Sequence, residues 1–439
     1  MLILLVSACG SSSSDQDTGS AKLNTFDGTV VDGYVARAQV FFDLDGNYMT
    51  SNMTMQLANV NGNFTELPIN DRELNTPGAA LRAFGGYDRI TGEAFSGVLS
   101  RSPGSLQTGS ENAITPLTTF LHYLGADKEA DFSNSLSDSD SLSDISNNDL
   151  YEDYFDNSMD KDKRLALIEQ AYQLHKSADV IAAALKGAYK DVDFDDNKHP
   201  KNLHGYVYQA MADKWSKDSG FDSGDYWENV MSEASDSIAT VTDSTKATIN
   251  DLGAEQVEKL WNFVTEALEG VDATEVEISK RLRAVEIVTW ALRDNPDVSM
   301  DDLTSVFVTE NGNNTDPYIL YSELEASADI GGLGGYFAST ASSNWSRDGI
   351  GDYLDRTKIS DEGFTLMDGE SKLTFDHETG NITFKHEDID LEIEGEYIND
   401  YTLLVNVEVG GVVEPVTVKS TGDGYSFEYD GKTFTQSDD

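Results

Sequence analysis

The sequence predicts a multidomain α+β protein with a strand-rich N-terminal module, a central helical domain and a C-terminal antiparallel β meander, a barrel or a curled sheet. Three observations predict it. Apolar residues alternate with polar ones in short runs from Phe26 to Leu67, recur at helical spacing from Leu165 to Leu292, and return to alternation from Leu373 to Tyr429. The 439 residues are also more than one core usually organises, so two or three domains are expected.

Composition narrows the function classes. Apolar residues make up 39% of the chain and aromatics 10%, enough to fill folded cores. The 79 acidic residues outnumber the 30 basic ones, leaving a net charge of −49. Such a surface repels nucleic-acid phosphates and anionic headgroups, so no nucleic-acid partner is expected. Two explanations stand for the acidity, solvation in a salty screening medium and carboxylates that hold divalent cations. The single cysteine, Cys9, leaves no internal disulfide.

Residues 1–25 read as a lipoprotein signal followed by a Ser-rich tether. Met1 to Cys9 is a short apolar run ending Val6-Ser7-Ala8-Cys9, and residues 10–25 are polar and serine-rich, the composition of flexible coil. The run is too short to cross a membrane as a helix. It resembles the lipobox of bacterial lipoproteins, with no basic residue before Leu2 as its one departure. The resemblance implies cleavage before Cys9, lipid on its thiol, and a membrane partner reached through that lipid. Gly10 in the next position implies an outer-membrane lipoprotein, facing the periplasm or the cell surface.

Strand patterns fill residues 26–124. Thr29-Val-Val31 breaks at Asp32-Gly33, Tyr34 to Phe42 comes next, and Asn61-Gly62 marks a hairpin between strands near Met53–Leu57 and Phe64–Leu67. Gly28-Thr-Val-Val-Asp32-Gly33-Tyr34, Ala38-Gln-Val-Phe-Phe-Asp43, Asp45-Gly46-Asn47 and Asn61-Gly62-Asn63-Phe64 resemble the prealbumin-like, carboxypeptidase regulatory-like modules of bacterial surface lipoproteins and adhesins. Phe84-Gly-Gly86-Tyr-Asp88 and Ile114-Thr115-Pro116-Leu117-Thr118-Thr119 resemble the segment that lies downstream of the module in such lipoproteins. The resemblance covers about 95 residues and implies a β-sandwich serving as a spacer or binding module.

Residues 125–160 are acidic and poor in apolar side chains, which predicts a loosely packed linker and a domain boundary. Residues 161–330 form the helical domain, with five to seven helices. Its stripes are Leu165, Ile168, Tyr172, His175, Ile181, Leu185 and Tyr189, then Leu252 to Leu268, then Ile278 to Leu292. Asn295-Pro296 stops the last of these, and Ser299-Met-Asp-Asp302 reads as a capping box. Trp215, Trp227, Trp261 and Trp290 are expected to fill the core. In the antiparallel β domain, 331–439, around eight strands are separated by Gly-containing turns such as Asp368-Gly369, Gly410-Gly411 and Asp430-Gly431.

Candidate chemistry is confined to cation sites. From Asn344 to Asp355, oxygen donors fall at loop positions 1, 3, 5, 9 and 12 (Asn344, Ser346, Asp348, Asp352, Asp355), with Gly349 at the sharp turn and Ile350 at the position that offers a backbone carbonyl. The pattern resembles the calcium loops of thrombospondin type 3 repeats and, more loosely, EF-hands. Three carboxylates imply weak, extracellular-grade calcium affinity. Asp43, Asp45 and Asn47 form a second candidate calcium site, and Asp191-Val-Asp193-Phe-Asp195-Asp196-Asn197 a third cation-binding stretch.

The sequence carries no Gly-x-Ser-x-Gly, His-Glu-x-x-His, phosphate-binding loop or Cys-His pair, so no residue is assigned as catalytic. Gly331 to Gly335 reads as a hinge and His175 as a core residue, while His199 and His204 do not share a helix face. The expected function is a lipid-anchored envelope or surface protein with a structural or binding role, adhesion to matrix or glycan, stabilised by calcium. A carrier of a small apolar ligand in the C-terminal β domain and a glycan-acting enzyme of unrecognised type are the alternatives.

Overall fold

The computed structural model describes residues 23–44, 55–89, 95–137, 145–189, 203–242, 252–269 and 275–301, apart from 157–158, 218–219, 222–223, 295 and 297, and the backbone of ten strands between 355 and 435. The described chain is mixed α+β.

Its N-terminal part is β-rich. The strands are β1 (Leu23–Val30), β2 (Val35–Ala36), β3 (Gln39–Asp43), β4 (Met55–Leu57) and β5 (Asn63–Asn70); after a one-turn helix, α1 (Asp71–Leu74), come β6 (Ala80–Phe84), β7 (Tyr87–Asp88), β8 (Val98–Arg101) and β9 (Glu111–Ile114). One sheet runs β5-β1-β9, another β4-β3-β6-β8, and β2 pairs with β7. β1 is antiparallel to β5, with Phe26 opposite Leu67, but parallel to β9, with Val30 beside Ile114. Alternation supplies the core: Phe26, Val30, Phe64, Leu67, Ile69 and Ile114 from the first sheet meet Val40, Phe42, Leu81, Ala83 and Leu99 from the second. Each large apolar side chain buried there contributes about 1.5–3 kcal/mol. Gly28 is required where β1 meets β9, because a Cβ would lie 2.2 Å from the Asn112 carbonyl oxygen and 2.6 Å from the Phe64 ring.

Seven longer helices come next, namely α2 (Pro116–Leu124), α3 (Glu129–Ser137), α4 (Lys161–Ala188), α5 (Leu203–Lys214), α6 (Gly224–Thr242), α7 (Ala254–Leu268) and α8 (Glu275–Asp294). The Thr115-Pro116 segment is the start of α2. Thr115 Oγ1 accepts the Thr118 N–H at 3.0 Å and Thr118 Oγ1 accepts the Thr115 N–H at 2.9 Å, a reciprocal cap with Pro116 in the first turn. The N-terminal turn of α2 is also fastened to the sheet, Thr118 Oγ1 donating to the Ser100 carbonyl and Thr119 Oγ1 accepting the Ser100 N–H, both at 2.8 Å. At the far end, Ser299 Oγ accepts the Asp301 N–H at 3.2 Å, while Asp302, the other half of the expected capping box, lies outside the described residues.

The acidic linker expected over 125–160 is packed where it is described. Phe132 on α3, Leu150 in a 3-10 turn and Tyr154 are fully buried, and they join Val31, Ala113, Leu117 and Phe120 in the same apolar cluster as α4 to α8. Average acidity hid these anchors: Phe132, Ile145, Leu150 and Tyr154 are buried in a segment otherwise rich in carboxylates. The helical core therefore takes in α2 and α3 and reaches back to β9. Aromatic rings knit it together, with Phe221 stacked on Trp261 at 4.7 Å and Tyr226 edge-on to Trp227 at 4.9 Å. Trp215, Trp227 and Trp261 are buried, and the Trp290 side chain lies outside the described residues.

α4 is the hub. It touches α2, α5, α7 and α8, and every residue from 170 to 182 is buried. A helix enclosed on all sides usually reads apolar throughout. This one carries Gln170, Gln173, His175, Lys176, Ser177 and Asp179 inside, and those groups need partners.

Ten C-terminal strands run on in sequence: β10 (Asp355–Ser360), β11 (Gly363–Asp368), β12 (Ser371–Asp376), β13 (Ile382–His386), β14 (Ile389–Ile393), β15 (Gly395–Asn399), β16 (Thr402–Val409), β17 (Val412–Thr421), β18 (Gly424–Tyr429) and β19 (Lys432–Thr435). They pair as two five-stranded antiparallel meanders, β10 to β14 and β15 to β19. Pairs such as Leu373 with Phe384, Val405 with Val416 and Phe427 with Phe434 show why the alternation is regular, since it places apolar residues at matching register positions. At the strand ends Val409 is the register partner of Val412 and Tyr429 that of Lys432, while the expected turns Gly410-Gly411 and Asp430-Gly431 lie outside the described residues.

Candidate functional site

The polar residues inside α4 find their partners where the β-rich region meets the helices. Asp32 comes just after β1 in a turn and is fully buried. Its Oδ2 accepts a hydrogen bond from Lys176 Nζ at 2.9 Å, and the same ammonium lies 2.5 Å from Glu286 Oε1 on α8 and 5.0 Å from the Tyr172 ring centroid. The Glu286 contact is a close ion pair rather than an aligned hydrogen bond, since Oε1 has no bonding partner by geometry. Asp32 Oδ1 is likewise buried without a partner among the described residues. The Asp32 carbonyl and that of Val31 accept weakly from Tyr172 and Tyr154, at 3.4 and 3.3 Å.

One turn along α4 lies a second group. Asp179 Oδ1 accepts the Ser96 hydroxyl at 2.6 Å and sits 2.5 Å from His204 Nε2 on α5. His175 lies between the groups, with Nε2 3.5 Å from Asp32 Oδ2 and 4.0 Å from Asp179 Oδ2, and Nδ1 3.2 Å from the Tyr208 hydroxyl. Phe95 stacks flat on the His175 ring at 5.2 Å and 6°. Gly97 completes the cover, because its φ of +87° suits glycine and a Cβ would lie 2.7 Å from the His204 ring. The loop 95–97 thus lies over both histidines.

Burial sets the charge states. It pulls His175 down to about 4, overriding Asp32 and Asp179, so the ring is neutral at neutral pH. Burial also opposes the Lys176 charge, yet Asp32 and Glu286 hold that ammonium above the ordinary range. The Asp179 carboxyl would be raised by burial, but His175, His204 and Lys176 hold it well below its ordinary value. Glu286 is pushed up to about 8 by burial, with Lys176 opposing and Asp88 and Asp32 adding to the shift. Burial likewise raises Tyr154, Tyr172 and Tyr208. The cluster can bind protons and hold two regions together. Its charged and titratable members are closed to solvent, the His204 side chain being 13% accessible and those of Asp32, His175, Lys176, Asp179 and Glu286 at most 5%.

Of the residues singled out from the sequence, His175 and His204 enter this cluster. Asp43 is buried at the end of β3, and its Oδ2 accepts from Arg82 Nε at 2.6 Å, with Arg82 Nη1 donating to Ser100 Oγ. Asp355 opens β10, its register partner being Met367. Cys9, Asp45, Asn47, Asp191–Asn197, His199, Asn344, Ser346, Asp348, Ile350 and Asp352 lie outside the described residues. Among the described residues no group of three or more His, Cys, Asp or Glu is arranged to hold a metal ion, and no helix is long and apolar enough to cross a membrane. Sequence reasoning missed Asp32, Asp88, Ser96, Lys176, Asp179 and Glu286. The readable signal was Lys176 and Asp179 flanking an apolar stripe, at positions a buried helix would give to apolar residues.

Fold and cluster together define a mixed α+β protein whose sheets and helices are joined by buried charges. No protein-family model, no curated protein and no solved structure matches the chain.

Proposed function

We propose that this chain is a lipid-anchored protein of a bacterial envelope, held at the outer membrane through Cys9 and working as a structural or binding element that contacts matrix or glycan. The observation that carries the reading is the apolar run ending Val6-Ser7-Ala8-Cys9, continued at once by a serine-rich tether and an acidic body of net charge −49. Lipid on one thiol attaches such a body to a membrane that its surface charge would otherwise avoid. The two N-terminal sheets around one apolar cluster support reading that region as the prealbumin-like sandwich, a spacer or binding module. The closure of the densest ionisable cluster to solvent favours a structural role over a catalytic one.

Mass spectrometry of the N-terminus from native membranes tests the anchor. Acylated Cys9 as the first residue is the expected result, and an unmodified Met1 in a soluble fraction would remove the reading. Within the same proposal, calcium held by Asn344, Ser346, Asp348, Ile350, Asp352 and Asp355 stiffens the chain before β10. Thermal melting is then expected to shift upward between zero and millimolar calcium, with magnesium as control. Identical melting curves would discard the metal.

A further inference from the structure

The junction between sheets and helices rests on an uneven sharing of charge. A single ammonium, Lys176, serves Asp32 at 2.9 Å and Glu286 at 2.5 Å, with Asp88 of β7 buried close enough to act on both Lys176 and Glu286. One cation can neutralise one carboxylate. While Glu286 carries its own proton, the Lys176–Asp32 pair is balanced and the β-rich region is held to α4. When that proton leaves, a further buried negative charge appears beside Asp32 and Asp88, and these two belong to the β-rich region. Repulsion then acts across the junction, between α8 and the elements that cover α4.

We propose that this cluster is a proton-gated clasp, closed on the helices while Glu286 is protonated and loosened when Glu286 ionises.

His175 opposes it. Around this ring stand Asp32 after β1, Phe95 before β8, Lys176 and Asp179 on α4, and His204 and Tyr208 on α5, with Ser96 on the Asp179 carboxylate; Tyr154, Tyr172 and Glu286 act on the Asp32 side of the same cluster. A proton on His175 needs water, and Phe95 must lift from the ring to admit it. Acid therefore loosens through His175 and tightens through Glu286. The two nearly cancel in weakly acidic medium and leave the alkaline loosening visible. If opening returns both groups to ordinary values, the open fraction rises roughly twenty-fold from pH 5.5 to pH 9.

Amide hydrogen exchange in residues 30–36 and 95–101 of the full chain, corrected for the intrinsic pH dependence of exchange, reads this opening. E286Q keeps the shape and removes the titration, so its dependence should reverse, with these segments about tenfold more open at pH 5.5 than at pH 9 as His175 acts alone. An unchanged alkaline rise in E286Q would overturn the clasp. Should that variant fail to fold, infrared titration of the wild type decides. A protonated carboxyl lost with a midpoint near pH 8 supports the proposal, and no such band refutes it.

Discussion

Arg82 and Lys176 are both buried cations facing aspartates, and the contrast between them explains most of how this molecule is held together. Arg82 pairs with Asp43 inside the four-stranded sheet and gives its second nitrogen to the neutral hydroxyl of Ser100. Lys176 is divided between Asp32 and Glu286 across a junction of three elements. The Arg82–Asp43 pair joins two neighbouring strands of one sheet, β6 and β3. A shared cation leaves one carboxylate over, so its environment changes with pH.

The largest way to break the comparison is to remove each cation. Lys176→Met takes from Asp32 and Glu286 the ammonium they share, and Arg82→Met takes the guanidinium from Asp43; each is expected to cost about 3–5 kcal/mol in denaturant unfolding at pH 7. The Lys176 variant should recover part of that loss in acid, where its carboxylates protonate. Equal loss at every pH would show that the two sites do not differ.

A sharper test uses the wild type. Glu286 has a folded value raised to about 8 from 4.5, so its contribution is complete below 4.5 and is lost as pH rises toward 8. His175 is lowered to about 4 from 6.5, so its contribution is complete above 6.5 and is lost as pH falls toward 4. The slopes offset each other between 4.5 and 6.5, and unfolding free energy should then fall by about 1–2 kcal/mol from pH 6.5 to pH 8. A stability profile that climbs over that interval would contradict the assignment. The smallest expected effect comes from Gly97→Ala, at least about 1 kcal/mol, because the new methyl meets His204 in a left-handed backbone. Exchange protection should drop around residues 95–101 and stay unchanged near Arg82; uniform loss would mean that the loop is not a local cover.

Legibility in the sequence divides along the same line. Alternation from Phe26 to Leu67 and the stripe from Ile168 to Tyr189 were readable because each pattern is local; Phe26, Val30, Val40, Phe64 and Leu67 of the first and Ile168, Tyr172, Ile181, Leu185 and Tyr189 of the second are buried, while Met55 and Leu57 on β4 are exposed. The Asn61-Gly62 turn is present, with Gly62 at φ +79°, but it closes no hairpin, because β4 pairs with β3 and β5 with β1 in a different sheet. The charge cluster was not readable. Asp32 and Lys176 are 144 residues apart, and Asp32-Gly33 looks like any turn until the helices are in place. The parallel partner of β1 was missed for the same reason, since Glu111 to Ile114 is a four-residue strand with no alternation of its own. Over 125–160, Phe132, Leu150 and Tyr154 were outvoted by their acidic neighbours. Function was the least legible part, because its strongest signal, at Cys9, says where the chain is held and not what it holds.

The pairing of β1 with β9 joins Asp27 to Glu111 and Val30 to Ile114, and Asn112 Nδ2 donates to the Asp27 carbonyl. Its consequence is temporal. A chain emerging from a ribosome or a secretion channel shows its first strand early but must wait for some eighty further residues before that strand's second neighbour arrives. Until then one flank of β1 stays open to whatever binds nascent strands, and sealing it coincides with the arrival of α2, which comes directly after β9.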